Sequence, residues 1–152
     1  MSSITDAGTD RSRHPVSAAG ALESGAAYSP ATLDAEVLQL ALVAARAADA
    51  KLAKETVVLA VRPVFGVADA FVITSGGNTR QVRTVVEEVE RRVSLAGGRR
   101  PLRVEGLGDA RWVLMDYGDF LVHVFLDEAR SYYDLERLWS DTERVSWEPA
   151  TH

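Results

Sequence analysis

Two stretches of the chain repeat apolar residues at spacings of three and four positions, which is the pattern of a helix with one buried side. The first stretch runs from Leu33 to Leu52. Ser29-Pro30 precedes it, and a serine followed by a proline suits the start of a helix. The pattern therefore predicts a helix that begins near Ser29-Pro30 and ends near Lys54.

The second helical stretch starts after Gly76-Gly77 and ends at Gly97-Gly98. Asn78 is suited to cap its first free N–H groups, and Gln81 occupies the position of a capping-box partner. Valine forms helices weakly, so packing against other elements must stabilise this helix. The predicted buried positions are all valines: Val82, Val85, Val86, Val89 and Val93.

Short apolar runs rich in β-branched and aromatic residues predict the strands. Residues 56–61 and 70–74 are apolar on both faces, which is typical of strands in a sheet covered on both sides. Residues 111–117 and 120–126 predict a hairpin with the two-residue turn Gly118-Asp119, and residues 102–104 predict a shorter strand. Asp127 is suited to cap a last helix. The order α-β-β-α-β-β-β-α predicts an α/β fold, with a single mixed sheet of about five strands and helices packed on it.

The chain divides into one domain and two flanking segments. Residues 1–30 are rich in Ser, Ala, Gly and Thr and hold few large apolar side chains, so we expect a disordered N-terminal extension. Residues 31–139 contain the periodic segments and are predicted to form the domain. Residues 140–152 are predicted to be a C-terminal tail.

Composition and charge exclude several classes of protein. The 152 residues include no cysteine, which excludes a disulfide scaffold, a thiolate zinc site and a thiol nucleophile. No apolar run approaches the roughly 20 residues that span a bilayer, so we expect no membrane partner. The net charge of -5 disfavours binding to the phosphates of nucleic acid and favours binding to a basic partner. Arginines between residues 80 and 103 are interleaved with glutamates, which weakens the positive field of this segment. A small RNA-binding domain, one of three functional hypotheses for the chain, is therefore disfavoured.

Two clusters of residues are compatible with an enzyme, which is the alternative hypothesis for the function. Ser75-Gly76-Gly77-Asn78 could hold a phosphate on free N–H groups, and Asp116 and Asp119 could bind Mg²⁺, as in a nucleotidyltransferase-like, Mg²⁺-dependent nucleotide-binding enzyme. Neither cluster is a complete motif, since the lysine of a P-loop is missing and the carboxylates are spaced D-x-x-D across a turn. Tight turns explain both clusters as well. His123, the one histidine between residues 15 and 151, is either a ligand or a hydrogen-bonded sheet residue.

Aromatic residues crowd into residues 112–139 and favour a binding surface, because Trp and Tyr dominate binding hot spots. Core packing accounts for some of them. Trp112 and Tyr117 lie five positions apart on one predicted strand, so they point to opposite faces of the sheet. A hairpin that is apolar on both faces needs cover from helices or from a partner.

Several sequence blocks, taken together and in order, resemble the ribosomal silencing factors, which are related to the plant protein Iojap. The resemblance covers about residues 33–140. The most specific part is the series W-V-L-x-D-Y-G-D, V-H-V-F and Y-D-L-E-x-L-W. These blocks are Asp69 to Ile73, Asn78 to Val82, Trp112 to Asp119, Val122 to Phe125 and Tyr133 to Trp139.

This resemblance implies a nucleotidyltransferase-like domain without catalytic machinery, with no cofactor and no catalytic or metal-binding residues. It implies a cytoplasmic translational repressor that binds the large ribosomal subunit through its ribosomal protein number fourteen. Binding there blocks joining of the small subunit when nutrients are scarce. The resemblance also allows for a homodimer, and it implies little or no sequence-specific contact with nucleic acid.

The family motif places the partner-binding surface on the Trp112 strand and the turn after it. We expect Trp112 to be the aromatic anchor, Met115 and Tyr117 to add apolar area, and Asp116 and Asp119 to face basic groups of the partner. The turn formed with Gly118 would favour the two aspartates on structural grounds alone. The chain departs from the family at two positions, with Ala60 and Ala70 where family members often carry Asp and Tyr.

Overall fold

The computed structural model describes residues 34–60, 69–133, 137 and 143–148. Three helices and six strands lie in these residues, and the mixed α/β architecture predicted from the sequence is confirmed. In chain order the elements are α1 (Ala35–Ala50), β1 (Lys54–Ala60), β2 (Ala70–Gly76), α2 (Thr79–Gly97), β3 (Arg103–Glu105), β4 (Trp112–Asp116), β5 (Phe120–Leu126), α3 (Asp127–Tyr133) and β6 (Glu143–Val145).

The strands form one mixed sheet in the order β3-β4-β5-β2-β1-β6, with six described strands where the sequence predicted about five. The central pair, β2 and β5, is parallel, and the other pairs are antiparallel. Residues of β2 are buried along the whole strand. This is the pattern expected of a central strand that is covered on both faces.

Helices α1 and α2 pack side by side on one face of the sheet, called the helix face below. Asp34 caps α1 by accepting from the N–H groups of Glu36 and Val37, and the helix ends at Ala50, earlier than predicted. The predicted start at Ser29-Pro30 lies outside the described residues. All five predicted valines of α2 are buried, as the helical period required.

The termini of α2 agree with the sequence prediction. The Asn78 side chain accepts from the Gln81 N–H at 2.8 Å, and the Gln81 side chain accepts from the Gly77 N–H at 2.8 Å. Gly98 ends the helix in the left-handed conformation, with φ of 67°. A residue without a side chain adopts this conformation without strain.

The chain after residue 140 differs from the predicted tail. Residues 143–145 form β6, which pairs with β1 at the edge of the sheet. Trp147 is 8% exposed, and its Nε1–H donates to the Thr56 carbonyl at 2.8 Å while its own carbonyl accepts from Arg46 Nε at 2.9 Å. Residues 143–148 are therefore part of the domain. The predicted extension at residues 1–30 lies outside the described residues.

The β4–β5 hairpin has the predicted two-residue turn. The Tyr117 N–H donates to the Phe120 carbonyl at 3.0 Å, and Gly118 between them has φ of 93°, which glycine adopts readily. Asp127 was predicted to cap the last helix but is the first residue of α3. The turn fixes the register of the hairpin and so decides which side chains of β4 and β5 share a face.

Candidate interaction surface

Of the six predicted partner-binding residues, Gly118 and Asp119 lie in the turn, and alternation along β4 and the residue after it places the other four on opposite faces of the sheet. Met115 and Tyr117 point to the helix face, where they are 0% and 1% exposed. Trp112 and Asp116 point to the opposite face, called the second face below, and both are partly exposed. The structure therefore corrects the expectation that Met115 and Tyr117 add apolar area to a partner surface, because both side chains are in the core beneath the helices.

The two turn aspartates bind arginines of the same chain. Asp119 accepts from Arg99 through both carboxylate oxygens, at 2.8 and 3.2 Å. Asp116 accepts from the Gly118 N–H at 2.8 Å and from Arg103 at 3.1 Å. These contacts favour the structural explanation of the two aspartates, in which they stabilise the turn and its arginines, over a role in facing the basic groups of a partner.

An aromatic cluster occupies the second face where β4, β5 and β2 lie side by side. The Trp112 ring stacks on Phe125 with centroids 5.1 Å apart, and the His123 ring meets Phe71 edge-on at 5.0 Å. The Trp112 and His123 centroids are 5.9 Å apart. Offset and edge-to-face contacts of this kind stabilise aromatic pairs beyond their buried area. The four rings form one packed unit.

His123 is buried within this cluster and is 5% exposed. Its Nδ1 accepts from Trp112 Nε1 at 3.0 Å, so Nδ1 carries a lone pair and the ring proton of the neutral imidazole is on Nε2. Burial lowers the pKa of His123 to about 4, because a charged imidazolium would lose its hydration. The ring is neutral near pH 7. His123 is thus a hydrogen-bonded sheet residue, one of the two possibilities that the sequence left open.

Part of the second face is covered by α3. Ala129 packs on Phe125 and its neighbours, and the buried Arg130 donates to Ser75 Oγ at 2.8 Å, which fastens the helix to the sheet. Beside this covered part, the partly exposed side chains of Trp112, Leu114 and Leu121 lie on adjacent strands. We call these three residues the exposed apolar surface. Sequence reasoning missed Leu114 and Leu121, although Leu114 is two residues from Trp112 and so shares its face.

The alternative phosphate site is occupied by side chains of the same chain. The Gly77 N–H donates to Gln81, and the Gln81 amide in turn donates to the carbonyls of Lys51 and Leu52 at 3.0 Å each. Gly76 is packed closely enough that an added Cβ would lie 3.2 Å from Val82. The geometry favours the tight-turn explanation. Within the described part of the chain, no group of three or more histidine and acidic residues is placed to hold a metal ion.

A search of the described helices for a membrane span found none that is both long and apolar enough.

Comparison with known proteins identifies the family to which the chain belongs. The family model described as "Ribosomal silencing factor during starvation" matches residues 34–152. This chain belongs to the ribosomal silencing factor family. The matched range includes β6 and Trp147. The family model and the structure therefore both extend the domain beyond residue 140.

Individual relatives give the same result. The chain is 41% identical over 113 residues to "Ribosomal silencing factor RsfS" of Halalkalibacterium halodurans, a match that covers 74% of this chain and 93% of the relative. It is 40% identical over 99 residues to the protein of the same name from Bacillus subtilis, covering 65% and 83% of the two chains. A mouse protein named "Mitochondrial assembly of ribosomal large subunit protein 1" is 31% identical over 90 residues, covering 58% of this chain and 40% of its own.

A solved structure shows that the family shares this fold. The crystal structure of a protein from Bacillus halodurans superimposes with a TM-score of 0.58 at 38% sequence identity, and the match covers 74% of this chain and 99% of that one. The sheet and its covering helices are therefore the fold of the family.

Proposed function

We propose that this protein is a translational repressor that binds the large ribosomal subunit and blocks joining of the small subunit when nutrients are scarce. The observation that carries this proposal is the family match over residues 34–152, with its description of silencing during starvation. The names of the bacterial and mouse relatives point to the ribosome, and the mouse name to its large subunit. Because ribosomes translate in the cytoplasm, we place the protein there.

The partner contact is proposed to be ribosomal protein number fourteen, with the exposed apolar surface as its docking site. Trp112, Leu114 and Leu121 present adjacent apolar side chains on a rigid sheet, and an aromatic anchor with apolar neighbours is the usual centre of a binding hot spot. A stable interface buries about 1,600 Å² in total, so residues around these three must take part as well. A net charge of -5 suits a basic ribosomal protein.

Such a repressor acts by occupying space and breaks no bond, so we propose that it is not an enzyme. The ion pairs of Asp116 and Asp119 support this view, since they leave the two carboxylates engaged with arginines. A homodimer stays a prediction. Two copies that covered each other's exposed apolar surface would have to separate before either could bind the ribosome.

The test is a matched pair of substitutions on opposite sides of the molecule. Leu114→Lys places a charge on the exposed apolar surface, and Leu95→Lys makes the same change on the outer side of α2, where Leu95 is 74% exposed. Both variants are mixed with purified large subunits and sedimented, and small subunits are then added. Melting temperatures verify that both variants fold.

Leu114→Lys is expected to weaken large-subunit binding at least tenfold and to restore joined ribosomes, while Leu95→Lys behaves as the wild type. A basic partner would repel the new lysine, which adds to the loss of apolar contact. Equal binding by the two variants would refute the proposed surface. Absence of wild-type binding to large subunits would refute the proposed function itself.

A further inference from the structure

The hydrogen bond between Trp112 and His123 joins a partly exposed side chain to a buried one. The donor is Trp112 Nε1, the acceptor is His123 Nδ1, and the distance is 3.0 Å. The two residues lie eleven positions apart on neighbouring antiparallel strands, and Phe125 stacks on the same indole at 5.1 Å. The indole is thus fixed by contacts of two kinds, a stacking contact across its plane and a directional bond at its nitrogen.

The imidazole adds a polar group that the packing of the cluster does not need. With Nδ1 as acceptor, the proton is on Nε2, and this buried atom has no hydrogen-bond partner within the described residues. A buried donor without an acceptor destabilises a fold. Phenylalanine would fill nearly the same space among Phe71, Ile73 and Phe125 without that cost. The one contribution that phenylalanine could not make is a lone pair for the indole N–H.

We propose that His123 is a positioning residue, whose Nδ1 holds the indole of Trp112 in a single orientation for the large-subunit partner. This inference rests on the proposed function, in which Trp112 is the anchor of the interface. A side chain that is already ordered loses less freedom on binding, and ordering one such side chain is worth roughly 3- to 10-fold in affinity. The bond acts through Trp112, so His123 itself does not touch the partner.

The protonation state of His123 agrees with this role. Its low pKa keeps the ring neutral near pH 7, because burial disfavours the charged form. A neutral ring whose Nε2 bears the proton has its Nδ1 lone pair available at all times. An acceptor whose protonation fluctuated near neutral pH would hold the indole only part of the time.

Two substitutions separate the positioning role from packing. His123→Phe keeps an aromatic ring in the cluster and removes the acceptor. His123→Asn is smaller, but its amide oxygen lies about where Nδ1 was and can accept from the indole. The affinity of each variant for large subunits is measured together with its melting temperature. The indole N–H resonance of Trp112 is followed by NMR, with its assignment made from a Trp112→Phe variant.

His123→Phe is expected to weaken large-subunit binding roughly 3- to 10-fold, while its melting temperature stays at or above that of the wild type. Its Trp112 indole resonance should shift and exchange faster with solvent. His123→Asn should recover the resonance and part of the affinity, although it lowers the melting temperature. An effect in opposite directions on affinity and stability is something that a purely structural histidine would not produce.

The outcomes distinguish this inference from the proposed function. If Trp112→Phe weakens binding and His123→Phe moves the indole resonance but binds as the wild type, the positioning role is refuted and the surface stands. If Trp112→Phe and Trp112→Ala both bind as the wild type, the proposed surface is refuted and the positioning role with it. Should His123→Phe not fold, the wild-type spectrum decides, because a rapidly exchanging Trp112 indole proton would also overturn the inference.

Discussion

The two faces of the sheet are built from the same strands but differ in what they bury. On the helix face, β4 and β5 contribute fully buried apolar side chains that two helices cover: Val113, Met115, Val122 and Val124. On the second face, the same strands contribute Trp112, Leu114, Leu121 and Phe125 with a buried imidazole among them, and three of these side chains are partly exposed.

This difference bears on the proposed surface, because Trp112, Leu114 and Leu121 are partly exposed on the second face, whereas the four side chains on the helix face are fully buried. The helix face buries mostly apolar groups and gains free energy from each of them, although it also buries the Tyr117 hydroxyl, which has no hydrogen-bond partner within the described residues. The second face likewise gives up part of that gain at His123 Nε2, and its buried imidazole, unlike the Tyr117 hydroxyl, is bonded to a partly exposed side chain, that of Trp112. Natural proteins tend to depart from fully satisfied packing at functional sites, so the position of His123 beside the partly exposed Trp112 supports the proposed surface.

Met115→Ala is expected to have the largest effect, and on stability alone. Removing a fully buried side chain from the helix face leaves a cavity in the core, which lowers the free energy of unfolding by about 2–5 kcal/mol. Urea denaturation measures that loss, and sedimentation with large subunits, corrected for the folded fraction, should be unchanged. Weaker binding by the folded fraction would contradict the proposal that the helix face contributes to stability alone and the second face to binding.

Lowering the pH is expected to weaken the fold through the second face. The pKa of His123 is about 4 in the folded chain and near 6.5 when unfolded, so the unfolded chain takes up a proton first as the pH falls. Above about pH 6.5, protonation of His123 therefore has little effect on the free energy of unfolding. Once the pH is below 4, it lowers that free energy by about 3 kcal/mol. Denaturation between pH 7 and pH 4 should show this slope in the wild type.

His123→Phe supplies the control for that pH dependence. Its stability should change less between pH 7 and pH 4, because the substituted ring takes up no proton in either state. Glu88 contributes mainly at lower pH, because hydrogen bonds from Arg91 and Arg92 lower its pKa to about 2, and the stability it adds is lost as the pH falls from about 4.5 to about 2. Equal slopes in the two proteins would show that His123 is not the group that titrates.

Asp119→Ala is expected to have the smallest effect, at the turn where the two faces meet. The ion pair with Arg99 is partly exposed, so its loss should lower the free energy of unfolding by at most about 1 kcal/mol. Large-subunit binding should not change, because Asp119 is engaged with Arg99. A tenfold loss of binding in a folded Asp119→Ala variant would instead restore the aspartate to the partner surface.

The sequence predicted the elements whose signals are local. The valine period of α2 and the Gly118-Asp119 turn could be recognised because each needs only neighbouring residues to be explained. Alternation also separated Trp112 from Tyr117. Alternation alone does not show which of the two faces the helices cover, and for that reason the burial of Met115 and Tyr117 could not be predicted from the sequence.

Two other features depend on contacts that no local pattern records. Glu143, Arg144 and Val145 show no strand period, and they form β6 by pairing with the edge of β1. The bond between Trp112 and His123 depends on hairpin register together with two side-chain rotamers. The sequence is compatible with His123 as a ligand or as a hydrogen-bonded sheet residue. The bond to Trp112 and the burial of the ring decide between the two.

The spacing of the contacts along the chain has a consequence for the order of folding. Trp112 and His123 are eleven positions apart, whereas Trp147 and Thr56 are 91 positions apart. Short loops close faster and at lower entropic cost than long ones, so the β4–β5 hairpin should form early and the edge made by β6 last. Pulse-labelled hydrogen exchange during refolding would record this order as early protection of β5 amides and late protection of β6. The candidate binding face would then be assembled before the sheet is complete, and opening of the β6 edge would leave it intact.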